Sequence, residues 1–414
     1  MGVGIPEGEA KKKKGVKREL GLEKVWTHLK DCMSCGLCTA DGPLAPLREG
    51  NNIPENTKLE ADCPPYQYYH FVSHSPKGRS WLAAALWYKN IPITEDVVKV
   101  FYTCTTCALC DEVCYLKKIP IIRAMREEFV LRGAALPEPI QKKDDTIVRT
   151  NNYFGGKNEV RAKWAKDLNL PNKGELLYFA GCFSSYRYPE AARATVGILR
   201  AAGQEVAYLA EKETCCGNHL LISGKTEQAI SRIMPLMEAI RESGAKKVLF
   251  SCAEGYRAFD EYQELLDGLP FEIVHVSEYI NQLISQKKLK FRQNGSQKVT
   301  YHDPCALGRF MNVYKAPRSV IQSVPGVELK EMLSFGRWSR CCGSGFTLSA
   351  EAYPEYARTV AGWRLAEAKD AADILVTSCP QCVDNFTAAI KSDKMNMKVY
   401  DLPVFVAEAM GIKI

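Results

Sequence analysis

No apolar run in this 414-residue sequence is long enough to cross a membrane; the richest, Trp81 to Tyr88, has only the length of a core segment. No apolar stretch of the kind found in a secretory signal follows the polar and then basic N-terminus, so a cytoplasmic location is expected. No G-x-G-x-x-G follows a strand pattern, so nothing offers a flavin or dinucleotide its phosphate cradle. Strong charge of either sign is missing too. The formal excess is +7, and its one basic block is Lys11 to Lys14 with Lys17 and Arg18. That block reads as part of a solvated flexible tail, residues 1–24, with docking on an acidic partner as the alternative. Nucleic-acid binding has little support. Hydrophobic residues make up 46% of the chain, enough for two or three packed domains.

What the sequence does have is cysteine, seventeen of them, and all fall into metal-ligand patterns. In a reducing compartment such clustering binds metal rather than forming disulfides. Cys32-x2-Cys35-x2-Cys38 and Cys104-x2-Cys107-x2-Cys110-x3-Cys114 are ferredoxin-type runs, with Cys63, followed by Pro64, as a further ligand. A four-iron cubane takes four thiolates, and in two-cluster ferredoxins each run donates its fourth cysteine to the other cluster. That logic assigns Cys32, Cys35, Cys38 and Cys114 to one 4Fe-4S cluster. It assigns Cys63, Cys104, Cys107 and Cys110 to the second. The fourth cysteine of the first run would ordinarily fall at position 42. Gly42-Pro43 stands there, so an insertion has moved the ligand to Cys63. Zinc, or one cubane beside loose cysteines, are the alternatives; structural zinc sites use pairs of C-x2-C rather than triplets. Two such clusters, each carrying roughly −2 with its thiolates, would remove about half of the basic excess.

The rest of the chain repeats itself. Cys182, Cys215 and Cys252 recur as Cys305, Cys341 and Cys379 at offsets of 123, 126 and 127 residues. Apolar strand-type runs precede four of these cysteines: Leu176 to Ala180, Val248 to Ser251, Val299 to His302 and Ile374 to Thr377. Helices are predicted from Pro189 to Gly203, from Thr226 to Gly244 with Pro235 kinking or splitting it, and from Pro354 to about Lys369. The expected class is therefore mixed, α+β and α/β. A helical two-cluster ferredoxin-like domain (25–141) is followed by a linker or surface strap (142–172), a first α/β repeat (173–292) and a second (297–414). Ligands at the carboxyl ends of parallel strands are where open α/β sheets place their sites.

The two repeats differ in ligand count. The second reads Cys305-x35-Cys341-Cys342-x36-Cys379-x2-Cys382, five thiolates where a cubane needs four. Vicinal cysteines reach two neighbouring irons rather than one. The set points to an opened cluster with a bridging cysteine or to a cubane beside a reactive thiol, either being a site for two-electron sulfur chemistry. A structural zinc site is the plainer alternative. The first repeat reads Cys182-x32-Cys215-Cys216-x35-Cys252-x2-Gly255, with glycine in place of the fifth cysteine. Two readings stand there: a further 4Fe-4S cluster on Cys182, Cys215, Cys216 and Cys252, or a site that only packs. His219, His302 and Asp303 could tune a cluster or donate protons, but read first as satisfied loop residues. Arg309 could neutralise cluster charge, hold an anionic substrate group or sit in a surface salt bridge.

Tyr301-His-Asp-Pro-Cys-Ala-Leu-Gly-Arg309, Arg340-Cys-Cys-Gly-Ser-Gly345 and Ser378-Cys-Pro-Gln-Cys382 resemble the second CCG domain of the D-type heterodisulfide reductases. Tyr178-Phe-Ala-Gly-Cys182 and Cys215-Cys-Gly217 resemble the first. That family fuses a ferredoxin-like subunit to a cysteine-rich one carrying the CCG domains. The resemblance covers nearly all of the chain after about residue 25. It implies Rossmann-like α/β CCG domains and a noncubane 4Fe-4S cluster, held by Cys305, Cys341, Cys342, Cys379 and Cys382, where a disulfide is cleaved in two one-electron steps. Gly255 breaks the transfer for the first domain. The architecture is also similar to iron–sulfur subunits of glycolate oxidase, anaerobic glycerol-3-phosphate dehydrogenase and benzoyl-CoA reductase-type complexes. The shared implication is electron transfer within an anaerobic multi-subunit oxidoreductase, with flavin- or cluster-containing partner subunits and a membrane cytochrome as a further candidate. A disulfide reductase acting at the C-terminal cluster, and a non-enzymatic iron–sulfur scaffold or sensor, are the alternatives.

Overall fold

The computed structural model describes residues 21–33, 35, 36, 38, 63–292 and 296–414. The basic block and the Gly42-Pro43 step lie outside the described residues. The described N-terminal part is built from helices, among them Pro64–Tyr69, Pro76–Trp87, Glu95–Tyr102, Leu109–Val113 and Ile119–Leu131. Local chemistry sets their starts. Ser75 accepts the Gly78 N–H with Pro76 in the first turn, and Thr94 accepts the Val97 N–H ahead of Glu95 and Asp96. Two buried side chains tie this part to the first repeat: Arg126 donates to the carbonyls of Phe101, Cys104 and Ile222, and the Tyr102 hydroxyl donates to the Ser223 carbonyl at 2.7 Å.

The remainder folds around two all-parallel sheets. The first holds β1 (Leu176–Phe179), β2 (Lys247–Phe250) and β3 (Glu272–His275) in the order β1-β2-β3. The second holds β4 (Gln297–His302), β5 (Val327–Leu329), β6 (Ile374–Thr377) and β7 (Lys398–Asp401) in the order β5-β4-β6-β7. A parallel bridge from Leu177 to Ala207 fills, beside β1, the place that β5 takes beside β4. The halves therefore share one plan. In each, the chain leaves the first strand for one side and returns across it to the other, opening a crevice at the carboxyl ends of β1 and β2 or of β4 and β6. Those four strands are buried over most of their length, as runs covered on both faces should be.

The halves pack together through helices. Pro189–Ala201 of the first packs on Leu402–Met410 of the second, and Val276–Ser285 packs on Lys315–Gln322. Val196, Leu199, Ile280, Leu283, Val320, Phe405 and Val406 form the apolar core between them. Gly197 permits the approach, since a Cβ there would meet Ile412 Cγ2 at 2.8 Å.

Two expectations differ from the structure. The helix Thr226–Glu242 continues past Pro235, so the proline does not split it. Met234, Pro235 and Ser231 are exposed, so water can satisfy the Ser231 carbonyl that proline leaves without a donor. The stretch read as a linker contains most of the helix Glu138–Thr150, which buries Ile140, Asp144 and Ile147 along one face, then the buried Asn152, Tyr153, Arg161 and Trp164. Among the described residues no helix is long and apolar enough to cross a membrane.

Candidate metal centres and the cleft between the halves

The N-terminal cysteines gather in two adjoining hollows. Cys32, Cys35, Cys38 and Cys114 line one, with Lys77 and Lys118 beside them. Lys118 Nζ lies 3.2 Å from Cys32 Sγ. Burial opposes its charge, and the neighbouring Cys32, Cys114 and Cys38 sulfurs override that, holding its pKa above the ordinary lysine value. Cys63, Cys104, Cys107 and Cys110 line the second hollow, with Cys38 on the shared rim. Its loop is shaped by left-handed Thr106 and Ala108, and the Thr106 N–H points at Cys104 Sγ at 3.4 Å. Burial pushes the Cys63 thiol up to about 12, against the pull of Arg79. Buried thiols of this kind stay protonated until a metal displaces the proton, so the donor set fits a cationic cluster core better than a free thiol role.

In the second half the five cysteines converge at the sheet's carboxyl edge. Cys305 follows β4, Cys379 follows β6, Cys382 lies in the first turn of the helix Pro380–Asp393, and Cys341-Cys342 arrive on the loop after β5. Cys342 and Cys382 are 3.3 Å apart at sulfur. Gly343 turns the loop at φ +87°, where a Cβ would strike the Ala357 carbonyl oxygen at 2.3 Å, and its N–H meets Cys341 Sγ at 3.3 Å. His302 ends β4, and its ring nitrogen lies within 4.8 Å of the Cys342 and Cys382 sulfurs. Arg364 Nε donates to His302 Nδ1 at 3.2 Å, so the imidazole proton resides on Nε2. Burial holds this histidine neutral, with a pKa lowered to about 3. Asp303 instead pairs with Arg318 at 2.6 Å and accepts the Gly336 N–H, the plainer of its two readings.

This second site abuts the second N-terminal hollow. Cys107 and Cys341 are within hydrogen-bonding reach at sulfur, and Cys305 lies near Cys107. Arg309 spans the joint. It donates to the Cys107 carbonyl at 2.5 Å and to the Ser339 carbonyl at 2.7 Å, with Cys107, Cys305 and Cys341 around its charge.

In the first half, Cys182 lies in the helix Gly181–Tyr186 with its sulfur in reach of Cys215, and Cys216 adjoins Cys215. Gly217 repeats the turn of Gly343 at φ +73°, tucked under the Tyr262 hydroxyl. Arg161, fully buried, donates from Nη2 to Cys182 Sγ at 3.2 Å and pairs with Glu213 at 3.1 Å. Glu213 in turn accepts the Ala180 and Gly181 N–H groups, both at 2.9 Å. Cys252 caps the helix Ala253–Leu265. Its sulfur touches Cys379 of the other half, while Glu254 hydrogen-bonds Gln381, so the segments Cys252–Glu254 and Cys379–Gln381 face each other. No crowding requires glycine at 255: a Cβ would lie 3.6 Å or more from Phe250, Cys252 and Phe179, and φ is not positive.

A cleft opens between the halves above this junction. Tyr153, Phe183 and Arg187 form one wall, and Ser344, Thr347, Glu351, Arg358, Gln381 and Asn385 the other. His219 joins the walls from below, its Nδ1 2.6 Å from Thr347 Oγ1. Tyr153, Arg161, Lys118 and Glu254 did not stand out in the sequence; polar residues in unpatterned segments carry no signal of what they will pack against.

Known proteins share this layout. The cysteine-rich domain CCG matches residues 176–259 and 299–387, and the 4Fe-4S dicluster domain matches residues 27–117. Over 331 residues the chain is 36% identical to the D-type subunit of the dihydromethanophenazine:CoB–CoM heterodisulfide reductase of Methanosarcina mazei, covering 77% of this chain and 80% of that one. It is 30% identical to the EtfAB:quinone oxidoreductase of Syntrophomonas wolfei over 76% of this chain and 47% of that protein. The crystal structure of a hypothetical protein from Helicobacter pylori aligns with a TM-score of 0.56 at 14% identity, over 81% of this chain and 68% of that one, a likeness of fold.

Proposed function

Since the chain belongs to the D-type heterodisulfide reductase family and is an iron–sulfur oxidoreductase subunit of that type, we propose that it relays electrons within a multi-subunit anaerobic complex. Its partners would be flavin- or cluster-containing subunits or a membrane cytochrome, at the cytoplasmic face. Cys32, Cys35, Cys38 and Cys114 would hold one cubane, and Cys63, Cys104, Cys107 and Cys110 the other. Cys305, Cys341, Cys342, Cys379 and Cys382 would hold a noncubane cluster in a Rossmann-like half. When bound, such clusters supply one-electron steps. The residues around them prepare those sites: the Lys118 ammonium and the Thr106 and Gly343 N–H groups all aim at cysteine sulfur, stabilising its anionic form.

The observation that carries this reading is the contact between Cys107 and Cys341, which supports a short path from the second cubane set to the five-cysteine set. EPR of the anaerobic protein during stepwise reduction, with iron counting, tests it. Two cubane signals that reduce together with a C-terminal signal are expected; a C-terminal site without iron would sink the assignment. A second reading, disulfide reduction at the C-terminal site, is favoured by the cleft, which runs down to Gln381 between Cys379 and Cys382 and to Ser344 beside the paired cysteines.

A further inference from the structure

The cleft has an acid side that the electron path does not use. Tyr153 is 6% exposed, and its hydroxyl donates to Glu351 Oε1. Glu351 reaches solvent, with 28% of its side chain exposed, and pairs with Lys143 at 3.1 Å. Lys143 also covers the Tyr153 ring at 4.3 Å and donates to the Tyr153 carbonyl. Thr347 sits beside the Tyr153 hydroxyl, and its Oγ1 lies 2.6 Å from His219 Nδ1. Thr347 holds φ +72°, a left-handed conformation costly for a β-branched residue. Its bonds to His219 and to the Phe346 carbonyl keep the hydroxyl facing Tyr153. Tyr153, Thr347 and Glu351 all line the cleft, together with Gln381 and Ser344.

We infer that Tyr153 is a catalytic proton donor to a sulfur substrate bound in this cleft, resupplied from solvent through Glu351. The inference rests on the second reading above. Cleaving a disulfide consumes two electrons and two protons: the S–S bond breaks, two electrons arrive one at a time from a reduced redox partner through the iron–sulfur sites, and each sulfur leaves as a thiol. As each thiolate departs, Tyr153 gives it the hydroxyl proton while Glu351, protonated from water, passes its proton to the Tyr153 oxygen; the relay turns over twice, so both sulfurs leave as thiols. A hydroxyl that donates and accepts at once relays a proton without resting as phenolate, which this burial and the Glu351 charge both disfavour.

The test uses the anaerobic, cluster-loaded protein with reduced viologen as the electron source. The disulfide is the CoB–CoM heterodisulfide named for the Methanosarcina relative or 2-hydroxyethyl disulfide. Tyr153→Phe is expected to lower kcat by about 10²-fold with little change in KM, consistent with the usual worth of a positioned acid. Reduction of the N-terminal clusters by viologen should be unaltered, and the solvent isotope effect on turnover should change. Glu351→Gln retains a hydrogen-bond partner for Tyr153 but cannot carry a proton, and should flatten the pH profile of kcat. The titratable groups that face Tyr153 are Glu351, Lys143, His219 and Glu254. Wild-type turnover that both variants retain would overturn the inference and leave the disulfide reading standing. No wild-type turnover of either disulfide would overturn both.

Discussion

The two CCG halves share a strand plan, a left-handed glycine after each paired cysteine and a ligand at each matching strand end, yet they present different chemistry. The second half adds Cys382 in the first turn of its last ligand helix, and sets a neutral His302 and the joint to Cys107 beside its sulfurs. The first half has Gly255 at the matching place and commits a buried arginine, Arg161, to Cys182. The sheet edge fixes where the sulfurs gather; one helix turn decides how many there are. Cys252 and Cys379 meet across the two halves, so the sites face each other rather than lying apart.

The largest expected effect comes from removing the second half's pair. Cys341→Ser or Cys342→Ser should lose the C-terminal cluster and reduce disulfide turnover by at least ~10²-fold, while the N-terminal cubanes still reduce; iron counting and stepwise EPR check this. Turnover that survives would remove the five-cysteine set from catalysis. Next, Gly255→Cys offers the first half its missing thiolate in a place where a Cβ already fits. If ligand count alone separates the halves, the variant should gain a second thiol-responsive EPR signal at unchanged iron content; an unchanged spectrum would mean that surrounding residues, not the count, set the difference. Last, Arg161→Gln should destabilise the first half by about 3 kcal/mol, because it strands buried Glu213 beside Cys182. Thermal unfolding reads the loss, and iron retention at the first half against the second shows whether Arg161 serves its cluster or only the fold.

The repeat, the four central strands and the cysteine sets were legible because apolar runs and ligand spacing are local signals. β3, β5 and β7 were not, because they are mostly half-buried or exposed and lack a continuous apolar run. The helix Glu138–Thr150 was missed because its sequence is mostly polar, with Ile140 and Ile147 the apolar residues it fully buries. The meeting of Cys252 with Cys379, and of Cys107 with Cys341, follows from how sheets and helices dock, and no spacing in the chain encodes it.

The measurement that bears most directly on the account is EPR of the anaerobically purified, oxidised protein with and without a thiol substrate, alongside iron counting. The account predicts cubane signals on reduction and a new paramagnetic signal on thiol addition that Cys342→Ser abolishes. Cubane signals alone, indifferent to thiols and with no iron beyond the two N-terminal clusters, would contradict a cluster-holding, sulfur-binding second half.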